Sequence, residues 1–493
     1  MRPLVLATLL TAAALGAAGC MVNPVSGKSE LSLISPSREK EIGKEAAKQV
    51  EAEMGFVDDK PLADYVSQVG TRVAAESPLR GVDYTFHVVD MGQPNAFALP
   101  GGYVYVTRGI LAVTTSEDEL AGVLGHEIGH VAARHAVQRV SRAAPLGVLT
   151  GLGAATAGIV SPTLGAVVGG FGAAANEMLL APYGRDQERE ADRVGAEMSA
   201  KAGFDPTALA EALRSLERED AITRKGRSSG SSFFAMHPPL PERVESVRAY
   251  AATLPRGSHR PIVATDAEYL ERLDGLVIGK SAAQGVFDGP RFVHPELQFS
   301  IDFPAGWKTQ NSRDAVGASE PDGRAAVVLD VAALGNDPMD ALRATDKASG
   351  TDLAARAVPT TINGAKAAEV TSPLQTEVGV LTIAVTVIAR GGRIYRIIGA
   401  VRPNDAAAYA TTFNTAARSF RRATAPELAR IRERRLRIVR ARAGETIPAL
   451  VTRTGSIWEP AMVAAANGLP DGARLANGQL VKVALSEPYA AAH

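Results

Sequence analysis

The stretch Ser116-Glu117-Asp118-Glu119-Leu120-Ala121-Gly122-Val123-Leu124-Gly125-His126-Glu127-Ile128-Gly129-His130 decides how this chain is read. Ser116 followed by Glu119 is a capping box, so a helix opens here, and its register predicts a run to about Arg142. Each residue of an α-helix turns by about 100°, so His126 and His130 lie about 40° apart and project from one face. Two imidazoles so placed suit one small cation. Glu127, beside them, is placed to serve a water and not the cation itself. The chain has only 8 His, and such a pattern arises by chance on the order of once in a hundred sequences of this kind.

A catalytic zinc centre needs a third protein ligand and an open position. A third His ten residues after the first is absent, because that position is Ala136. His135 falls about 180° from His126 on an unbroken helix and is expected to point away as a surface residue. Downstream, Arg185-Asp186-Gln187-Glu188-Arg189-Glu190-Ala191-Asp192 offers carboxylates. Glu188 and Asp192 are four apart and share a face, whereas Glu190 lies about 200° from Glu188 and has Val194 as its own partner one turn on. The metal ligands are therefore read as His126, His130 and Glu188. Asp192 is read as accepting the outer N–H of a ligating His and fixing its tautomer. One Zn²⁺ per chain is expected, with Glu127 as the general base.

These two helices, together with Asn95-Ala96-Phe97-Ala98-Leu99-Pro100-Gly101-Gly102 and His237-Pro238-Pro239 with Arg243, resemble the gluzincin family of HtpX-like and CaaX-prenyl-protease-like metallopeptidases. The nearest branch is the periplasmic lipoprotein form of BepA type. The resemblance spans about Ser35 to Leu254. It implies a mostly helical zincin domain with a small edge sheet. The strand bearing Asn95, Ala96, Phe97 and Ala98 is expected to form the cleft edge, where an extended substrate adds as a further strand. Backbone pairing tolerates sequence, so unfolded or misassembled polypeptides are the expected substrates. The resemblance also brings the His-Pro loop near the metal. His237 and Arg243 are candidate catalytic donors to the developing oxyanion. His237 is also a candidate self-inhibiting plug, against a plain packing role.

Toward the N-terminus, Arg2, an uncharged run over Pro3–Ala18, Gly19 and Cys20 read as a lipoprotein signal peptide, residues 1–20. Cys20 after Ala17-Ala18-Gly19 resembles a bacterial lipobox, with Ala17 where Leu is usual. It is the only cysteine, so an exported protein without disulfides is expected. Met21 in place of Asp implies the outer membrane as the anchoring site, with the protein in the periplasm. A tether over Val22–Ile34 leads to a helix capped by Ser37 and a second over Pro61–Glu76, then strands near Tyr84–Val88 and Tyr103–Val106. The segment 143–176 contains no charged residue. It reads either as small-residue helices packed on the core or as a hairpin dipping into a bilayer.

At 493 residues the chain exceeds what one core supports. Lys+Arg and Asp+Glu both count 53, and that balance argues against a nucleic-acid binder. The overall class is α+β. A metallopeptidase domain is expected over 35–255, a linker over 256–292, an α+β sandwich domain over 293–421 and a small module over 436–486. Phe303-Pro304-Ala305-Gly306-Trp307 is similar to a signature of PsbP-type sandwiches. Ala326–Val331 and Val378–Ile388 read as strands, and Asn404–Ser419 as a helix. Arg430–Arg442, with seven Arg, reads as a solvated linker helix. Val439–Thr446, Asn467-Gly468-Leu469 and Gly478-Gln479-Leu480 resemble a βααβ LysM domain, which implies either peptidoglycan binding or protein docking; outer-membrane assembly machinery is a separate candidate partner of the whole protein. A zinc endopeptidase is the leading expectation. A chaperone or assembly scaffold with a latent metal site, and a peptidoglycan-associated binding protein, are the alternatives.

Overall fold

The computed structural model describes residues 20–32, 34–143, 181–224, 233–239, 242–258, 261–376 and 379–490. The signal segment before Cys20, nearly all of the uncharged segment and the Ser/Gly loop 225–232 lie outside these residues. Among the described residues, no helix is long and apolar enough to cross a membrane. The chain divides into two units. The first holds described residues up to 143, within 181–280 and within 434–487; the second holds those of 281–433 and 488–490.

In the first unit, Ser35 caps the helix Pro36–Met54 by accepting from Arg38 N at 3.3 Å, two residues before the expected Ser37. Asp59 caps Lys60–Ala74. A three-stranded sheet follows. Its central strand Tyr103–Thr107 pairs parallel with Thr85–Val89 and antiparallel with Ala96–Leu99, which leaves Ala96–Leu99 at an edge. Ser116 then caps the helix Glu117–Ala132, its Oγ accepting from Glu119 N at 3.1 Å. Glu119 closes on Thr115, taking its N–H and its hydroxyl at 2.7 and 2.6 Å. Glu117, also buried, accepts from Tyr65 Oη and from the Ile262 and Val263 amides.

This active-site helix does not run to Arg142. It ends at Ala132, Arg134 adopts a φ of 56°, and a separate helix begins at His135 and runs to Ala143. A left-handed non-glycine residue costs roughly 1–2 kcal/mol, and here it stands between the two helices. The rotation count that sent His135 away from the site assumed an unbroken helix.

The helix Arg185–Lys201 packs backbone to backbone on the active-site helix. A Cβ added at Gly195 would stand 2.8 Å from both Gly125 C and His126 N, and one at Gly129 would stand 2.9 Å from Ala191 O. Absent side chains at these positions let the two helices approach until His126 and His130 face Glu188 and Asp192. Val66, Val69, Leu120, Leu124, Ile128, Met198, Leu209 and Leu213 form the surrounding apolar core.

The Arg-rich run is a strand, Arg432–Arg440, and not the linker helix its charge suggested. It pairs with Leu480–Pro488 around the helices Ile447–Thr454 and Pro460–Ala466, in βααβ order. The reason is its other neighbour. Leu436 N donates to Leu276 O at 2.8 Å, Leu436 O accepts from Gly275 N at 2.9 Å, and Ile278 N donates to Arg434 O at 2.9 Å. Leu436 and Ala484 belong to the same apolar core as the long helices of the first unit. Lys482 is fully buried and donates to Val113 O at 3.0 Å and Thr114 O at 2.6 Å, just before the cap of the active-site helix. The stretch expected as a linker is structured as well: Tyr269, Leu270 and Leu273, in and just after the helix Asp266–Arg272, are core residues.

The second unit is built on a seven-stranded antiparallel sheet. Its order is Val358–Ile362, Ala365–Thr376, Gly379–Arg390, Arg393–Val401, Ala325–Leu334, Ala315–Ser319 and Lys308–Asn311. Alternation along Arg393–Val401 sends Tyr395 and Ile397 into one apolar cluster with Phe413, and Ile394, Ile398 and Ala400 into another with Leu342 and Leu353. Phe303–Trp307 follows the strand Phe299–Asp302. Gly306 holds a φ of 81°, and Trp307 meets Tyr409 edge-on at 6.0 Å.

Candidate metal centre

His126, His130, Glu188 and His237 are all buried, and each offers a donor atom within 4.8 Å of the others. His126 Nε2 lies 3.0 Å from His130 Nε2 and 3.2 Å from His237 Nδ1. Glu188 Oε1 lies 3.4 Å from His130 Nε2 and 3.1 Å from His237 Nδ1. Three imidazole nitrogens and a carboxylate converging on one point form a donor set that suits a tetrahedral cation. The structure therefore brings together the three residues expected from sequence as ligands and places His237 beside them.

Glu127 is wholly buried, and neither of its carboxylate oxygens has a hydrogen-bond partner. Its Oε1 stands 3.4 Å from His237 Nε2. Buried polar atoms are rarely left unpaired, and a carboxylate in this state beside four convergent donors fits a site that takes a cation and a water. Burial pushes Glu127 above the usual carboxylate range, with the nearby His237 and His126 opposing. Glu188 goes the other way. Burial alone would raise it, but His237, Arg243 and its bonds to His130 and His237 hold it well below.

Asp192 Oδ1 lies 2.9 Å from His126 Nδ1, the contact expected of it. Arg243 donates to both Asp192 oxygens at 2.8 Å, and its Nη1 stands 2.8 Å from Glu188 Oε2. Its guanidinium thus clamps the two carboxylates of one helix.

His237 is held from outside the donor set. Its ring stacks on Phe233 at 4.4 Å, and its Nε2 lies 3.3 Å from Ala96 O. Phe233 N donates to Pro94 O at 3.0 Å, and Asn95 Nδ2 approaches Met236 Sδ at 3.4 Å. The segment Phe233–His237 therefore lies along the edge strand, and Asn95, Ala96, Phe97 and Ala98 are all buried.

Three residues around the site, Tyr183, Arg139 and His135, were not placed there by the sequence. Tyr183 stacks on His130 at 3.8 Å with an interplanar angle of 19°, and Arg139 sits 4.4 Å from the Tyr183 ring. No helical period links Tyr183 to either motif. His135, expected at the surface, is fully buried with its Nδ1 2.8 Å from His130 Nδ1.

Residues 61–251 match the model of Peptidase family M48. The four clustered donors His126, His130, Glu188 and His237 all lie within the matched segment. Its relatives include mitochondrial metalloendopeptidase OMA1 of Schizosaccharomyces pombe, 33% identical over 230 residues, covering 46% of this chain and 65% of the relative. The beta-barrel assembly-enhancing protease of Yersinia pestis is 32% identical over 206 residues, covering 41% of this chain and 42% of the relative. That of Escherichia coli (strain K12) is 27% identical over 295 residues, covering 59% and 56%. The chain thus spans less than two thirds of each relative's own length. Among solved structures, cyanobacterial PsbP from Synechocystis sp. PCC 6803 covers 28% of this chain at 14% identity and a TM-score of 0.23, a likeness too low to assign a fold.

Proposed function

We propose that this chain is a zinc-dependent endopeptidase that hydrolyses peptide bonds in unfolded or misassembled envelope proteins, in the periplasm and anchored to the outer membrane by lipid on Cys20. The observation that carries the reading is the buried, unpartnered Glu127 carboxylate facing donors from two helices and a loop. The names of the beta-barrel assembly-enhancing relatives and the lipobox resemblance support the envelope setting. Outer-membrane assembly machinery, or peptidoglycan met through residues 436–486, would be the partner.

His126, His130 and Glu188 would hold the metal. Zinc, when bound, supplies Lewis-acid polarisation and a lowered water pKa. Glu127 takes the proton of the attacking water and returns it to the leaving amine. Asp192 fixes the His126 tautomer, and Arg243, which bonds Asp192 and faces Glu188, positions both carboxylates. Digestion of casein by the protein starting at Met21, with and without chelator and with zinc content measured, tests this. Cleavage that persists after complete metal removal would overturn it.

A catalytic centre keeps one position open, whereas four protein donors fill a tetrahedron. His237 is therefore proposed as a self-inhibiting ligand, and its segment also covers the edge of Ala96–Leu99. Release of Phe233–His237 would free the metal position and the strand together. His237→Ala is expected to raise casein cleavage by roughly threefold or more, by enlarging the competent fraction. An unchanged or lower rate counts against the plug.

A further inference from the structure

The metal ligand His130 has a support that leads away from the site. Its Nε2 faces the other donors, so its Nδ1 points outward, where it meets His135 Nδ1 at 2.8 Å. His135 Nε2 in turn lies 3.0 Å from Glu190 Oε2. Asn23 Nδ2 approaches the same carboxylate oxygen at 3.3 Å and Glu30 Oε1 at 3.1 Å. Asn23 Oδ1 is taken by the amides of Val25 and Ser26 at 2.8 and 3.3 Å, which fixes the side-chain amide with its donor toward Glu190.

We propose that His135, Glu190 and Asn23 form a hydrogen-bonded relay that positions His130 as a metal ligand. Only one polarity fits. A lone pair on His130 Nε2, needed by a cation, puts the proton of the neutral ring on Nδ1. His130 then donates and His135 Nδ1 accepts. The neutral His135 ring carries its proton on Nε2, aimed at the Glu190 carboxylate. Reversal would aim a His130 proton into the donor cluster and set a His135 lone pair against a carboxylate. Each ligating imidazole of the active-site helix is thus backed by a carboxylate: His126 directly by Asp192, His130 through His135 by Glu190.

Two further observations agree. His135 and Asn23 are 0% and 2% exposed, so these contacts are made away from competing solvent. The strained left-handed Arg134 immediately precedes His135 and delivers it to His130, and strain of this kind persists where the surrounding structure requires it. The relay also joins four elements of the chain. It runs from the helix Glu117–Ala132 through the helices His135–Ala143 and Arg185–Lys201 to the hairpin of strands Cys20–Val22 and Ser29–Leu31. The first residues after the proposed lipid anchor are thereby tied to a metal ligand.

This inference rests on the metal-site reading, and the test separates the two. Affinity for Zn²⁺ and Co²⁺ is measured by competition with a chromogenic chelator, and the Co²⁺ absorption spectrum is recorded, for the wild type and four variants. His135→Ala is expected to weaken metal binding by about 10–100-fold and to alter the Co²⁺ spectrum. Glu190→Gln, a change at the partly exposed end of the relay, is expected to weaken it by up to about tenfold. Asn23→Ala should act in the same direction with a smaller effect. His135→Asn, whose amide oxygen can stand where Nδ1 accepts, should recover part of the affinity. A wild type that binds no metal overturns both readings. A wild type that binds one metal, with His135→Ala and Glu190→Gln within twofold of it, overturns the relay alone.

Discussion

Glu127→Gln is expected to bind metal as the wild type does and to cleave casein about 10²–10⁴-fold more slowly, the range a positioned general base contributes. Gln has nearly the same shape, so His126, His130 and Glu188 keep their places, and zinc content should stay near one per chain. What is lost is the basic site. In the native chain, desolvation raises the Glu127 carboxyl above its usual range, so its proton affinity is better matched to accepting from water. The variant should fold as the wild type does, because neither Glu127 oxygen makes a hydrogen bond that Gln would break. His126→Ala differs in kind, since it removes a donor and should lose both metal and cleavage. Metal content by elemental analysis alongside the rate distinguishes the two. Full activity in Glu127→Gln would refute the assigned base.

The centre was legible wherever one helical period governs it. His126 and His130 on one face, with Glu188 and Asp192 on another, follow from spacing alone, and the small residues Gly125, Gly129 and Gly195 let those faces meet. Reading failed where the period is interrupted. Nothing in Ala133-Arg134-His135 announces a left-handed residue, because Arg seldom adopts one, so His135 was carried round an imaginary helix. Tyr183 reaches His130 from a segment with no period. Charge misled in the C-terminal run: the seven Arg of Arg430–Arg442 suggested a solvated helix, but Leu436 is buried in the core of the first unit, and Arg437 is paired with Glu487 and Asp274. The βααβ order of the last module was legible, whereas its incorporation into the first unit depends on contacts far apart in sequence.

That incorporation gives the other large effect. Removal of residues 434–493 is expected to unfold the first unit, where a free-standing module could be cut away without harm. Leu436 and Ala484 are 0% exposed within its core, and burial of one Leu side chain is worth about 1.5–3 kcal/mol. Arg218 would lose Leu469 O at 2.6 Å and Asp471 at 3.0 Å. The Val113 and Thr114 carbonyls would lose the Lys482 amine, at about 0.5–1.5 kcal/mol for each hydrogen bond. Together these are comparable with the whole stability of a domain, about 5–15 kcal/mol. A truncated protein that keeps wild-type cleavage and unfolding temperature would sink this prediction. Lys482→Met probes it more finely, since it keeps the stem and removes the amine, and is expected to cost about 2–4 kcal/mol. The same residue leaves a signature in pH. Burial pushes the Lys482 amine down to about 7, with Glu119 opposing, against about 10.4 in an unfolded chain. Between those values the unfolded chain binds the extra proton, so this group makes the wild type more stable as pH rises through that window. Denaturant midpoints at pH 7.5 and 9.5 should show that rise in the wild type and a smaller one in Lys482→Met, and equal slopes would mean that the amine is not buried against the active-site helix.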